Sequence, residues 1–296
     1  MAVRSSSHPG TLRLAQLREE IDAVDKTLHD LLLKRVGIVA KIRQVKGDSP
    51  ALRPGREAQI LRQLAERHAP YAQDGIALAN LLHMWREMIN ALTAFQAPFS
   101  VGLFMGPLDG PTLRDVTRDH YGSYTALTQY PTPETALGAI RDNKNTLTVL
   151  PYPTKMRSWW KLLREPSYDR LRIVARLPFF VPENHRVMLE ETGLVVAAFP
   201  PEPSGQDRTM VAIRLKIPPK NSQHLAQIIG DAWPGATLVT EANEDYLCLI
   251  DGPGFLDHAP EVPPALKMLA GARSSDIAIL GSYATPLYQM PSESQR

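Results

Sequence analysis

From Thr11 to Lys46 the chain holds no proline, and apolar residues recur at Leu14, Leu17, Ile21, Val24, Leu28, Leu31, Leu32, Val39, Ile42 and Val45. That is helical spacing, so the segment is expected to form one helix, about 54 Å long at ~1.5 Å per residue. No monomeric domain of some ninety residues is that wide. A stripe so long needs covering at both ends, and intertwining two chains is the direct way to do it. The expectation is an obligate homodimer.

Gly47, Asp48, Ser49 and Pro50 break the first helix, a second follows Pro54 through Ile60, Leu61 and Leu64, and a third spans about Gly75 to Phe95. The second opens oddly. A helix N-terminus carries partial positive charge and favours acidic side chains, yet RPGREAQIL places Arg53 and Arg56 there. Cations beside unpaired N–H groups suit a bound anion. On the first helix Arg35 and Lys46 lie 11 positions apart, about three turns, and so nearly on one face. Arg18 is 17 positions before Arg35, about 25 Å away, and in an antiparallel dimer it reaches the site of the other subunit. Arginine and lysine on helices are usually solvated, and Asp22 and Asp25 are placed to pair with Arg18. It is the set that points to a carboxylate ligand, because guanidinium forks hold carboxylates bidentately.

Any anion site must be local. Of 296 residues 44% are hydrophobic and 22% charged, with a formal net charge of +2, which argues against a disordered chain and against a basic nucleic-acid surface. Cys248, the only cysteine, lies in the apolar run YLCLI and reads as a buried strand residue; a disulfide framework is excluded and no metal-ligand spacing is present. MAVRSSSHPG has no apolar core of signal-peptide length and no segment reaches the ~20 apolar residues of a membrane span, so a cytoplasmic protein is expected.

After Pro98 short apolar runs, SVGLFMG and TLTVLPY, alternate with helical stretches such as ETALGAIRD, as in a small α/β lobe ending at the Pro-rich AFPPEPSG near residue 205. TMVAIRLKI, SQHLAQIIGDAW, ATLVTEA, DYLCLID, PPALKMLAGA and DIAILGSY then follow in the order βαββαβ of a ferredoxin-like unit. The expected fold is multidomain, α and α+β: a helical domain at 10–97, an α/β segment at 98–205 and a ferredoxin-like domain at 206–290. Trp159 and Trp160 are expected in packing or at an interface, and as neighbours not to face one core.

LRLAQLREEIDAVDKTLHDLLLKRVGIVAKIRQVK followed by RPGREAQILRQL resembles the all-helical chorismate mutases, in particular those fused ahead of prephenate dehydratase, over residues 11–97. The resemblance implies a three-helix domain in an intertwined dimer, acting on chorismate without metal or cofactor. It implies that Arg18 from the partner and Arg35 bind carboxylates, that Lys46 donates to the ether oxygen and a carboxylate, and that Glu57 accepts from the ring hydroxyl. Arg56 supports the charged side of the pocket, and Gln96 is the second donor to the ether oxygen. Two positions depart from the family. Arg53 stands where some members have Asp and contributes through its backbone; Leu92 replaces a small polar residue, a lost hydrogen bond worth ~1 kcal/mol of binding.

Downstream the resemblance is eroded. VGLFMGPLDGPT is similar to the opening of prephenate dehydratase, but Asp109 and Gly110 interrupt its GPxGT pattern and TVLPYPTK replaces a PxENS-like turn. The Thr-Arg-Phe triplet is represented by Thr192, Gly193 and Leu194, without its arginine; the pair Thr117 and Arg118 falls in a predicted helix. Residues 98–205 are therefore expected to be a remnant with structural or contact roles, too short to supply two lobes. The last segment resembles the regulatory amino-acid-binding domain of the same fusions, with PPKNSQHL and TEAN in place of its ligand motifs and Glu241 alone retained. The leading expectation is a monofunctional mutase. The alternatives are a bifunctional mutase and dehydratase, and a non-enzymatic regulatory subunit binding an aromatic amino acid or an aromatic-pathway enzyme.

Overall fold

A computed structural model describes residues 9–46, 50–71, 75–106, 112–183, 188, 191–242, 246–271, 273 and 276–289. The chain divides into two units, Met1–Ser49 and Pro50–Arg296. The first is a single helix, α1 (Pro9–Lys46), whose Leu14, Leu17, Ile21, Val24, Leu28, Leu31 and Leu32 are exposed along its length. Its apolar stripe follows the sequence spacing. Among the described residues no helix is long and apolar enough to cross a membrane.

The second unit opens with a helix pair, α2 (Pro54–His68) and α3 (Leu78–Gln96). Pro54 occupies the first turn of α2, where its missing N–H costs nothing. Gly55 follows because the backbone of Glu202 approaches closely: a Cβ here would lie 2.5 Å from that carbonyl oxygen.

A nine-stranded sheet forms the rest. Strands β1 (Ser100–Phe104), β2 (Ala126–Tyr130) and β3 (Leu147–Pro151) are parallel, in the order β2-β1-β3, and are joined through α4 (Thr112–Tyr121) and α5 (Pro133–Arg141). Strand β4 (Arg172–Leu177) pairs antiparallel with β6 (Gly193–Ala197), which pairs antiparallel with β3. The short β5 (Phe180–Val181) pairs instead with the last strand of the chain, Leu287–Tyr288. The runs after the Pro-rich stretch become β7 (Asp207–Arg214), α6 (Ser222–Ala232), β8 (Thr237–Ala242), β9 (Leu247–Pro253), α7 (Pro264–Leu269) and β10 (Ile277–Ala284). Their order in the sheet, β10-β7-β9-β8, places the fourth strand beside the first, as the ferredoxin-like reading requires.

The two strand groups merge where β10 runs parallel to β4 at Gly281 and Ile173. Gly281 has φ +139°, and a Cβ there would meet the Ile173 carbonyl oxygen at 2.1 Å. Only glycine lets the backbones come that close.

Both faces of the sheet are covered. Leu150, Ile173, Leu194, Val196, Met210 and Tyr283 pack on one face with the tryptophan pair, while Val101, Leu103, Val149, Val174 and Val195 meet Leu113 and Tyr121 on the other. Trp159 and Trp160 correct the expectation drawn from their adjacency: both are buried, in the same cluster. They open a 3₁₀ turn, Trp159–Arg164, in which neighbours point only about 120° apart. Trp159 donates its indole N–H to the Pro151 carbonyl at 2.8 Å. Cys248 is buried in β9, and burial raises its thiol pKa to about 12. Asp109 and Gly110 lie outside the described residues.

Candidate functional site

On α1, Arg18 is exposed. Arg35 is half-buried; its Nη1 is shielded from solvent without a hydrogen-bond partner, and burial lowers its pKa. Lys46 ends the helix, and its side chain lies outside the described residues.

In the second unit the two arginines at the opening of α2 are engaged by side chains of the chain itself. Arg53 Nε donates to both carboxylate oxygens of Glu202 at 2.9 Å. Arg56, exposed, donates to Gln59 Oε1 at 3.2 Å. The helix turns Glu57 inward. Only 6% of Glu57 is exposed, and its Oε2 accepts from Arg86 Nη1 of α3 at 3.3 Å. Burial pushes its carboxyl pKa up, against the Arg86 charge and a hydrogen bond from the Arg53 backbone. On α3, Leu92 is buried, and the half-buried Gln96 donates Nε2 to the Leu92 carbonyl at 3.2 Å. Within this unit, then, Glu57 is engaged with Arg86, Arg53 with Glu202, and Gln96 with its own helix.

Arg86 and His120 were not read from the sequence. Arg86 is 8% exposed, and the same Nη1 that meets Glu57 also donates to His120 Nε2 of α4 at 2.9 Å. Two N–H bonds on one nitrogen serve two acceptors, so His120 is neutral and carries its proton on Nδ1. Burial, and then the Arg86 charge, hold its pKa well below 6.5. Phe179 lies under the guanidinium, 5.4 Å from its carbon. The spacing of Leu82, Arg86, Ile89 and Thr93, all buried, was the available signal: Arg86 falls on the apolar face of α3.

A further arginine binds α2 to the sheet. Arg62 donates to the Ser204 carbonyl and Oγ at 3.2 and 3.0 Å, to the Gln206 carbonyl at 3.0 Å and to the Thr285 carbonyl at 2.8 Å.

In the C-terminal part, Pro218, Asn221, Ser222, Leu225, Glu241 and Tyr246 line a pocket of about 350 Å³. Asn221 caps α6 by accepting from the His224 N–H at 2.8 Å, and Ser222 Oγ donates to Glu241.

The family model for chorismate mutase type II matches residues 17–97. No curated protein sequence matches the chain. Among solved structures, one described as GqqA, a novel type of quorum quenching acylase, aligns at 15% identity and a TM-score of 0.40, over 68% of this chain and 99% of that one. The prephenate dehydratase of Arthrobacter aurescens in complex with L-Phe aligns at 15% identity and 0.38, over 62% and 90%. That of Streptococcus mutans aligns at 16% and 0.39, over 64% and 100%. It is the helical segment, residues 17–97, that carries the family match, to chorismate mutase type II.

Proposed function

We propose that the protein is a chorismate mutase, converting chorismate to prephenate in aromatic amino acid biosynthesis and working as a homodimer. The observation that carries this reading is that the family match at 17–97 spans every residue of the cation set, Arg18, Arg35, Lys46 and Arg56, together with Glu57 and Gln96. The unpartnered Nη1 of Arg35 supports it as a donor without an anion.

The rearrangement is intramolecular and pericyclic and uses no nucleophile or proton relay. The protein's part is to hold the compact reactive conformer and to stabilise charge developing on the breaking ether oxygen. In this reading Arg18 of the partner and Arg35 grip the two carboxylates, Lys46 and Gln96 donate to the ether oxygen, Glu57 accepts from the ring hydroxyl, and Arg53, Arg56 and Leu92 border the substrate. We divide the chain at 10–97, 98–205 and 206–290, with the two later parts in contact roles.

Arg35→Ala and Lys46→Ala test the reading. Each removes a charged donor without emptying a core, so mutase turnover should fall by about 10²-fold or more with the circular dichroism unchanged. Wild-type turnover in either variant takes that residue out of the site.

A further inference from the structure

We propose that the pocket enclosed by α2, α3, α4 and the turn after β4 binds a small monocarboxylic acid with an apolar body, whose carboxylate is held by Arg86. The site is independent of the mutase reading, and every residue of its described lining belongs to the second unit.

The cavity measures about 350 Å³, within the range of small-molecule sites. Its walls are largely apolar: Leu61 of α2, Leu82 of α3, Val116 of α4, then Pro178, Phe179 and Phe180. Arg86 lines it while only 8% exposed. A guanidinium buried this far needs partners to offset the loss of water, and those present take one nitrogen alone. Glu57 at 3.3 Å and His120 at 2.9 Å both meet Nη1. Among the described residues Nε and Nη2 have no hydrogen-bond partner, yet neither is sealed from solvent. These two nitrogens make the side-on fork that a carboxylate accepts bidentately. Phe179, 5.4 Å from the guanidinium carbon, supports the plane of that fork.

The other charges restrict the occupant. No further arginine or lysine stands in the described lining, so a second anionic group finds no such cation, and this separates the ligand from a dicarboxylate. Asp119, the carboxylate of the lining, is engaged at the exposed rim by His83 Nδ1 at 2.8 Å. Glu57 is not part of the lining. One fork at the end of an apolar cavity matches one carboxylate on an apolar body.

The test is calorimetry on the full chain with phenylacetate as the probe and 2-phenylethanol as its neutral counterpart of similar size. Phenylacetate should bind one site per chain with a Kd of about 1 mM or below, reasonable for a ligand of this size. The alcohol, which loses the charge-assisted pair, should bind about 10-fold more weakly or worse. Ala79→Trp fills the pocket from a half-buried position in the first turn of α3, leaves Arg86 in place, and should weaken phenylacetate by about 10-fold or more. Arg35→Ala should bind it as wild type does, which separates this pocket from the cations of α1. In the wild-type chain, where no variant has to fold, phenylacetate should slow amide hydrogen exchange in residues 78–86 and 116–120. No saturable heat up to about 10 mM phenylacetate overturns the proposal, as does equal affinity for the alcohol. Protection confined to other residues, unchanged affinity in folded Ala79→Trp, or loss of binding in Arg35→Ala overturns it too.

Discussion

His120 makes the buried network sensitive to acid. Its folded pKa is well below 6.5, so between that value and 6.5 the unfolded chain binds the extra proton, and stability falls as pH falls. The slope reaches about 1.4 kcal/mol per pH unit for one such group. Glu57 has the opposite sign: its pKa is raised above 4.5, so its contribution is complete below 4.5 and is lost as pH rises through the folded value. Both terms are present in wild type, but only the second survives in His120→Leu. Urea unfolding from pH 7 to 5 should therefore show wild type losing stability relative to that variant as pH falls; parallel curves would mean that His120 is protonated in the folded state. Gln96 predicts a different profile. An amide donates at any ordinary pH, so mutase activity should be nearly flat from about pH 5 to 8, and Gln96→Glu should fall as pH rises because a carboxyl must be protonated to donate. A flat Glu variant would detach Gln96 from the ether oxygen. At this scale the resemblance to a family named Glu57 and Gln96, but a lone arginine in a helix reads as solvated surface, and the acceptor that buries Arg86 lies 34 positions further along the chain.

The elements that could be read were those whose burial follows a simple period. The long α1 shows its stripe at 3.6-residue spacing, and α2 begins at Pro54 as expected. Runs such as YLCLI became strands buried on both faces, β9 among them. Strand β2 escaped notice because it sits at the sheet edge with no residue fully buried, so ALTQY carries no alternation to find. The tryptophan pair was misjudged because a 3₁₀ turn does not alternate as a strand does. The exposed stripe of α1 leads to a prediction about assembly. Leu28→Lys, at a position 54% exposed in the single chain, should leave helicity intact but shift the protein from dimer to monomer in sedimentation equilibrium. An unchanged dimer would show that α1 is not the seam. Mixing Arg18→Ala with Arg35→Ala chains should restore about one working site per mixed dimer, because one composite site collects both lesions. Failure of every mixture to recover activity contradicts a shared site.

Across the whole molecule, the strand order of the C-terminal part was legible, but its fusion with the preceding strands into one sheet was not. That joint depends on Gly281 meeting Ile173, a contact between residues 108 positions apart that no local pattern announces. The C-terminal pocket should respond weakly to amino acids. Its described lining holds Glu241 but no arginine or lysine to receive a ligand carboxylate, and Ser222 already engages Glu241. Phenylalanine at millimolar concentration should leave turnover nearly unchanged, and saturable inhibition with heat of binding in calorimetry would contradict this. The central claim is that the cations of the N-terminal segment serve one pericyclic reaction. Its most direct test is to add chorismate to the purified full chain and identify what forms. Prephenate alone is the predicted result; phenylpyruvate would establish a dehydratase as well, and chorismate left unchanged would contradict the account.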